Sequence, residues 1–161
     1  MNDKLLAIKG GITAIITGLA ALLGWKGILA VVWVAVMALD YISGTFAACK
    51  SGEWSSGQAR QGLWHKSGMI LVVLVAAITD GVFAVVGDHF ALGINWTGLL
   101  LPLTLVWYII TEIGSILENA VKLGVKVPSW LVKILKISLK SVDAAGDSIT
   151  GEKEDNSNET D

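Results

Sequence analysis

Apolar residues in this chain gather into long, nearly unbroken runs, a pattern unlike the short alternating or helical-face spacing of a soluble domain. A helix needs about 20 apolar residues to cross about 30 Å of hydrocarbon, with roughly 17 to 25 tolerated. Four runs meet or approach that length, approximately residues 10–24, 28–49, 69–86 and 96–117. The first is trimmed by Lys9, although Lys4 and Lys9 can snorkel and let Leu5, Leu6 and Ile8 extend the span. The pattern predicts an all-α integral membrane protein with four transmembrane helices, the alternative being three. Residues 24–27, Gly-Trp-Lys-Gly, read as a tight helical hairpin between the first two. The opening Met1-Asn2-Asp3-Lys4 and its apolar run resemble a signal peptide, but neither a cleavage site nor a polar mature domain follows, so the segment is expected to be retained.

Beyond the fourth run, Pro128 suits the first turn of a new helix. Trp130, Leu131, Ile134, Leu135 and Ser138 fall on one side of it and Lys133, Lys136 and Lys140 on another. Residues 121–143 are therefore expected to form a basic amphipathic helix at the cytoplasmic membrane surface, following a transmembrane domain over residues 1–120. A partner helix is the other surface that it suits. Residues 144–161 are expected to form a disordered tail, acidic and polar from Gly151.

Composition strengthens this picture. Of 161 residues, 53% are hydrophobic and only 16% charged, with a mean hydropathy of +0.65, which is too apolar for an ordinary soluble domain. The net charge of -2 conceals segregation, with lysines beside the apolar runs and acids at the C-terminus. With four spans, one of the 12 basic residues, Lys26, lies on one side of the membrane and all the others on the opposite side. That asymmetry predicts both termini in the cytoplasm. Trp25, Trp64, Trp96 and Trp130 fall near expected interfaces, while Trp33 and Trp107 lie inside spans.

Three acids interrupt the runs: Asp40, Asp80 and Glu112. Each costs on the order of 3 kcal/mol at the centre of a spanning helix, so each needs a reason to be there. Asp40 lies ten residues before Lys50 and Glu112 ten before Lys122. By helix rise both sit about 15 Å above the inner interface, and they are expected to meet within or between subunits. Asp80, counted from Lys66 as an interfacial residue, lies about 21 Å up and is expected to be separate. In the fourth run Thr104, Tyr108, Glu112, Ser115 and Asn119 share one helical face. That stripe either lines water or an assembly interface, or joins helices by hydrogen bonds. Gly10, Ala14 and Gly18, and the pairs Ser43/Ala47 and Gly44/Ala48, have the four-residue spacing that permits close helix approach.

No catalytic constellation is present: His65 stands alone, and His89 beside Asp88 lacks a nucleophile or further ligands. Cys49 is the only cysteine, so neither an internal disulfide nor a zinc site is expected. No enzyme activity, cofactor, metal or nucleic-acid partner is expected. The segment from Lys50 to Gly68 reads as a polar loop without a phosphate-binding pattern.

Between Leu39 and Lys136 the chain resembles the phage holins grouped with clostridial toxin-secretion holin-like proteins. The resemblance rests on Leu39-Asp40 with Gly44 and Ala48, then Ser55-Ser56 leading to Arg60, Gly62, Leu63 and Lys66, then Asp80. Its strongest element is residues 112–120, Glu-Ile-Gly-Ser-Ile-Leu-Glu-Asn-Ala, followed by Leu123-Gly124-Val125 and Pro128. Family holins more often end in a basic tail, and this one is acidic. The resemblance implies a protein that associates with itself in the bilayer of the host cytoplasmic membrane and forms holes. An endolysin would be its functional partner in lysis, without direct contact. Arg60, Gly62 and Lys66 would form a cytoplasmic loop motif. A nonlytic secretion factor, a small proton-coupled transporter and an interaction scaffold are the alternatives.

Overall fold

The computed structural model describes residues 2–90 and 96–150. It is all-helical there: α1 Asn2–Leu23, α2 Trp25–Ser51, α3 Ser56–Phe90, α4 Leu100–Lys122 and α5 Ser129–Thr150. Among the described residues three helices, α2, α3 and α4, are long and apolar enough to cross a membrane, one fewer than the four spans expected. The acidic end of the tail and Lys153 lie outside the described residues.

Local signals in the sequence account for the helix ends. Gly52 closes α2 with φ 73°, and Glu53 N–H reaches back to the Ala48 carbonyl at 3.1 Å, a termination that a side-chain-bearing residue would strain. Ser55 Oγ accepts a hydrogen bond from the Gln58 backbone N–H at 3.2 Å and opens α3. The expected loop from Lys50 to Gly68 therefore shrinks to residues 52–55, with residues 56–68 already helical. At 35 residues and about 1.5 Å per residue, α3 is about 52 Å long and outreaches the hydrocarbon. The fourth helix starts at Leu100, four residues after the expected Trp96, and ends at Lys122; just beyond it Gly124 (φ 89°) turns the chain, with the same reach-back of Val125 N–H to Ala120. The last helix starts at Ser129, directly after Pro128, and continues to Thr150, past the expected limit of 143, so residues 144–150 are helical and not part of a disordered tail.

α2 and α4 run parallel and α3 runs antiparallel to both, as the pairs Lys26–Gly98, Lys50–Leu123 and Lys66–Glu112 require. The core between them holds Trp33, Met37, Met69, Val73, Leu101 and Leu105, with Tyr108 stacked on Trp33 at a centroid distance of 6.2 Å. Opposite the core, Leu71, Val75, Ile78, Val82 and Val85 form an exposed stripe along α3. Such a stripe is stable only against lipid or another apolar surface. Among the described residues α1 packs on α2, and α5 packs on α4.

Toward α4, α5 turns residues that lie mostly outside the apolar side read from its sequence. Val132, Leu135, Leu139 and Val142 lie toward α4, whereas Trp130, Ile134 and Ile137 are exposed. The apolar arc of α5 is wide enough to cover α4 with one edge and leave the other open.

Candidate functional site

Two polar clusters lie near opposite ends of the α2–α3–α4 bundle. In the first, Lys66 Nζ donates to Asp40 Oδ2 at 3.0 Å and to Glu112 Oε2 at 2.6 Å, so one ammonium from α3 bridges carboxylates from α2 and α4. Asn119 Nδ2 donates to Asp40 Oδ1 and to Ser43 Oγ, both at 3.1 Å. The Ser43 hydroxyl in turn donates to the Asp40 carbonyl at 3.0 Å. Close helix approach makes this possible: a Cβ on Gly44 would stand 3.4 Å from Asn119 Nδ2. The Glu112 side chain is only 5% exposed, and Lys66 and Asp40 are 13% and 18% exposed, so the cluster is largely removed from solvent. Two carboxylates against one ammonium leave a formal charge of -1, which the Asn119 amide offsets only as a dipole.

The expectation that Asp40 and Glu112 lie at one depth agrees with this geometry, but they meet through Lys66. That lysine is a helix residue at the level of the acids, and neither an interfacial marker nor part of a loop. A cavity of about 170 Å³ beside the cluster, lined by Asp40, Tyr41, Thr45, Gln58, Gly62 and Lys66, separates α2 from the first turns of α3.

In the second cluster, buried Asp80 caps α4 from across the bundle. Its Oδ1 accepts from Trp96 Nε1 at 3.0 Å and Leu100 N–H at 3.1 Å, and its Oδ2 from Leu101 N–H at 2.9 Å. The charge sits at the positive end of a helix dipole, where an anion is favoured. Lys26 Nζ donates to the Gly98 carbonyl at 2.7 Å, and Gly98 has φ 66°. At the other end of α4, Lys50 Nζ donates to the Leu123 carbonyl at 2.6 Å. Thus α2 holds both ends of α4 by lysine side chains, and α3 supplies the N-terminal cap.

The chain matches the model of the bacteriophage holin family over residues 17–140, a stretch that contains both clusters. It belongs to that family. An uncharacterised 14.9 kDa protein of the nagH 3′ region of Clostridium perfringens is similar at 32% identity over 136 residues, covering 84% of this chain and 96% of the relative. An uncharacterised protein of Listeria monocytogenes is 33% identical over 116 residues, 72% of this chain and 75% of its own. No solved structure matches the chain significantly.

In this holin-family protein the polar stripe expected on α4 is divided between two neighbours. Tyr108, Glu112 and Asn119 turn into the bundle. Ser115 and Thr104 instead line cavities between α4 and α5. Of the motif residues, Lys66 belongs to the buried cluster, Gly62 lines its cavity and Arg60 is exposed on α3. Lys136 lines the α4–α5 seam, and Lys133 and Lys140 are exposed. Trp107 was expected inside a span but without an assigned partner; its Nε1 donates to Asp143 Oδ1 at 2.8 Å and fastens α5 to α4. Nothing in the spacing of those two residues, 36 apart, signals the contact.

Proposed function

We propose that this protein is a holin: it associates with itself in the bacterial cytoplasmic membrane and forms holes that release an endolysin for host cell lysis. The family match across residues 17–140 carries this reading. The endolysin is a functional partner that need not touch it, and no catalysis is required of the chain. α1 supplies a fourth span: its 22 residues make about 33 Å of helix, enough to cross the hydrocarbon. Four spans put both termini in the cytoplasm, the side that then carries all basic residues except Lys26 and the bundle-buried Lys66.

The bundle supports a mechanism. Asp40, Lys66, Glu112 and Asn119 satisfy one another between three apolar helices, which hides ionic groups from lipid while the protein accumulates. When assemblies grow into rings, helices that separate at this cluster turn its charges toward water, and the hydration of three ions offsets the lost contacts. Asp80 plays a different part, since its oxygens hold the start of α4 and maintain the outer end of the bundle. Tyr108 and Ser115 belong to the assembly and packing surfaces of α4.

Controlled expression with and without a cytoplasmic endolysin tests the proposal. Abrupt loss of membrane potential, followed by lysis only when the endolysin is present, is expected. A protein that reaches the membrane while potential is held and the endolysin stays trapped refutes it.

A further inference from the structure

We infer that α5 lines the aqueous lumen of the open hole. The helix lies antiparallel to α4 along most of its length. Val127 and Val132 stand with Val121 at one end of the seam, and Gly146 and Asp147 stand with Leu103 and Thr104 at the other. Trp107 Nε1 and Asp143 Oδ1 are joined at 2.8 Å. Trp107 lies fifteen residues before Lys122, so by helix rise it sits about 22 Å above the inner end of α4, beyond the middle of the hydrocarbon. Asp143 is fourteen residues into α5, about 21 Å by the same measure, so the two helices keep register over that depth.

Docked in this way, α5 carries Lys133, Lys136, Lys140, Asp143 and Asp147 along one side at spacings of three, four, three and four. All five are exposed as residues, with Lys133 and Lys140 clear of the seam and Lys136, Asp143 and Asp147 along its rim, Asp143 being held there by Trp107. A charge facing lipid at the middle of a span is strongly disfavoured, and several along one stripe exclude lipid from that side. The docked position therefore requires water against the stripe. The rest of the circumference suits such a place: Val132, Leu135, Leu139 and Val142 meet α4, and Trp130, Ile134 and Ile137 present an open apolar edge to lipid or a neighbouring copy. The stripe would give the lumen a cationic inner mouth and an anionic outer half.

The seam is shallow: two grooves of about 330 and 240 Å³ along it lie open to the surface, so α4 and α5 cover each other incompletely. In an intact membrane no water meets the stripe, and α5 rests on the inner surface with its lysines among the headgroups. Docking and hole opening are then one event, which carries the end of α5 from the cytoplasmic side toward the outer end of α4, so the cytoplasmic C-terminus belongs to the closed state.

The inference rests on the holin reading, and paired cysteines in the full-length chain separate the two. In a Cys49→Ser background, Gly114→Cys with Leu139→Cys reports the inner part of the seam, and Leu103→Cys with Gly146→Cys the outer part. A Cβ at Gly114 or Gly146 meets nothing within 4 Å, so these substitutions fit. A short bis-maleimide is applied to cells before and after potential collapses, with endolysin release recorded in parallel. Cross-linking of both pairs is expected to rise on the order of tenfold at collapse, as a shift in the docked population requires. Equal yields before and after, or no cross-link after collapse, overturn the lumen assignment while the holin reading stands. Absence of collapse overturns both.

Discussion

Replacing Lys66 by methionine removes the one cation between Asp40 and Glu112 while keeping most of the side-chain volume. At 2.6 and 3.0 Å and an effective dielectric of 20, each attraction is about 6 kcal/mol before desolvation is counted. Desolvation of the three ions, several kcal/mol each, offsets most of that sum, so the intact cluster contributes little net stability. Removal of one partner is different, because it leaves two carboxylates buried together without compensation. The expected cost is about 3–5 kcal/mol, enough to lower membrane accumulation severely. The triple variant Lys66→Met, Asp40→Asn, Glu112→Gln removes all three charges and is expected to recover most of the loss. Mixed-micelle unfolding of the purified variants, with quantification of membrane-inserted protein, measures both. A Lys66→Met variant as stable as the parent, or a triple variant no better than the single one, refutes the cluster as a mutually dependent unit.

Further substitutions separate the roles of neighbouring groups. Asp40→Asn and Glu112→Gln share Lys66, so a double-mutant cycle on unfolding is expected to show coupling of about 1–3 kcal/mol; additivity would count against the shared ammonium. Asp80→Ala strips acceptors from Trp96, Leu100 and Leu101 and is expected to cost about 1–3 kcal/mol in the same unfolding assay, additively with Lys66→Met because the clusters share no partner. Gly98→Ala places a methyl 2.5 Å from Lys26 Nζ at a φ of 66°, and a loss of about 1–3 kcal/mol is expected by thermal unfolding in detergent. Trp33→Phe removes a buried indole N–H without a hydrogen-bond partner and is expected to change stability by less than about 1 kcal/mol, whereas Trp33→Ala loses about 3–5 kcal/mol. Cys49 is exposed at the cytoplasmic end of α2 in the proposed topology, so an impermeant maleimide should label it only after the inner side is opened.

The helical class and three of the spans were legible because unbroken apolar runs of membrane length admit few other folds. That Asp40 and Glu112 stand at a common level was suggested too, since each lies ten residues before a lysine. Lys66 was misplaced for an identifiable reason: a polar segment rich in Gly and Ser was taken as loop, although Ser55-Ser56-Gly57-Gln58 has the Ser-x-x-Gln form of a helix start. With α3 beginning there, Lys66 rises to the acids and Asp80 rises to the start of α4. The α4 stripe covers a face about 80° wide, which sits between two neighbours and is shared by them. Contacts such as Trp107–Asp143 and Asp80–Leu101 depend on tertiary placement, and periodicity carries no trace of them.

Hole formation is tested most directly with the purified full-length protein in vesicles of bacterial lipid loaded with a small dye and a protein-sized one. The account predicts that efflux of dye begins abruptly above a threshold protein density, and that Lys66→Met shifts this threshold. Vesicles that hold the small dye at every density, with the protein shown to span them, would contradict it.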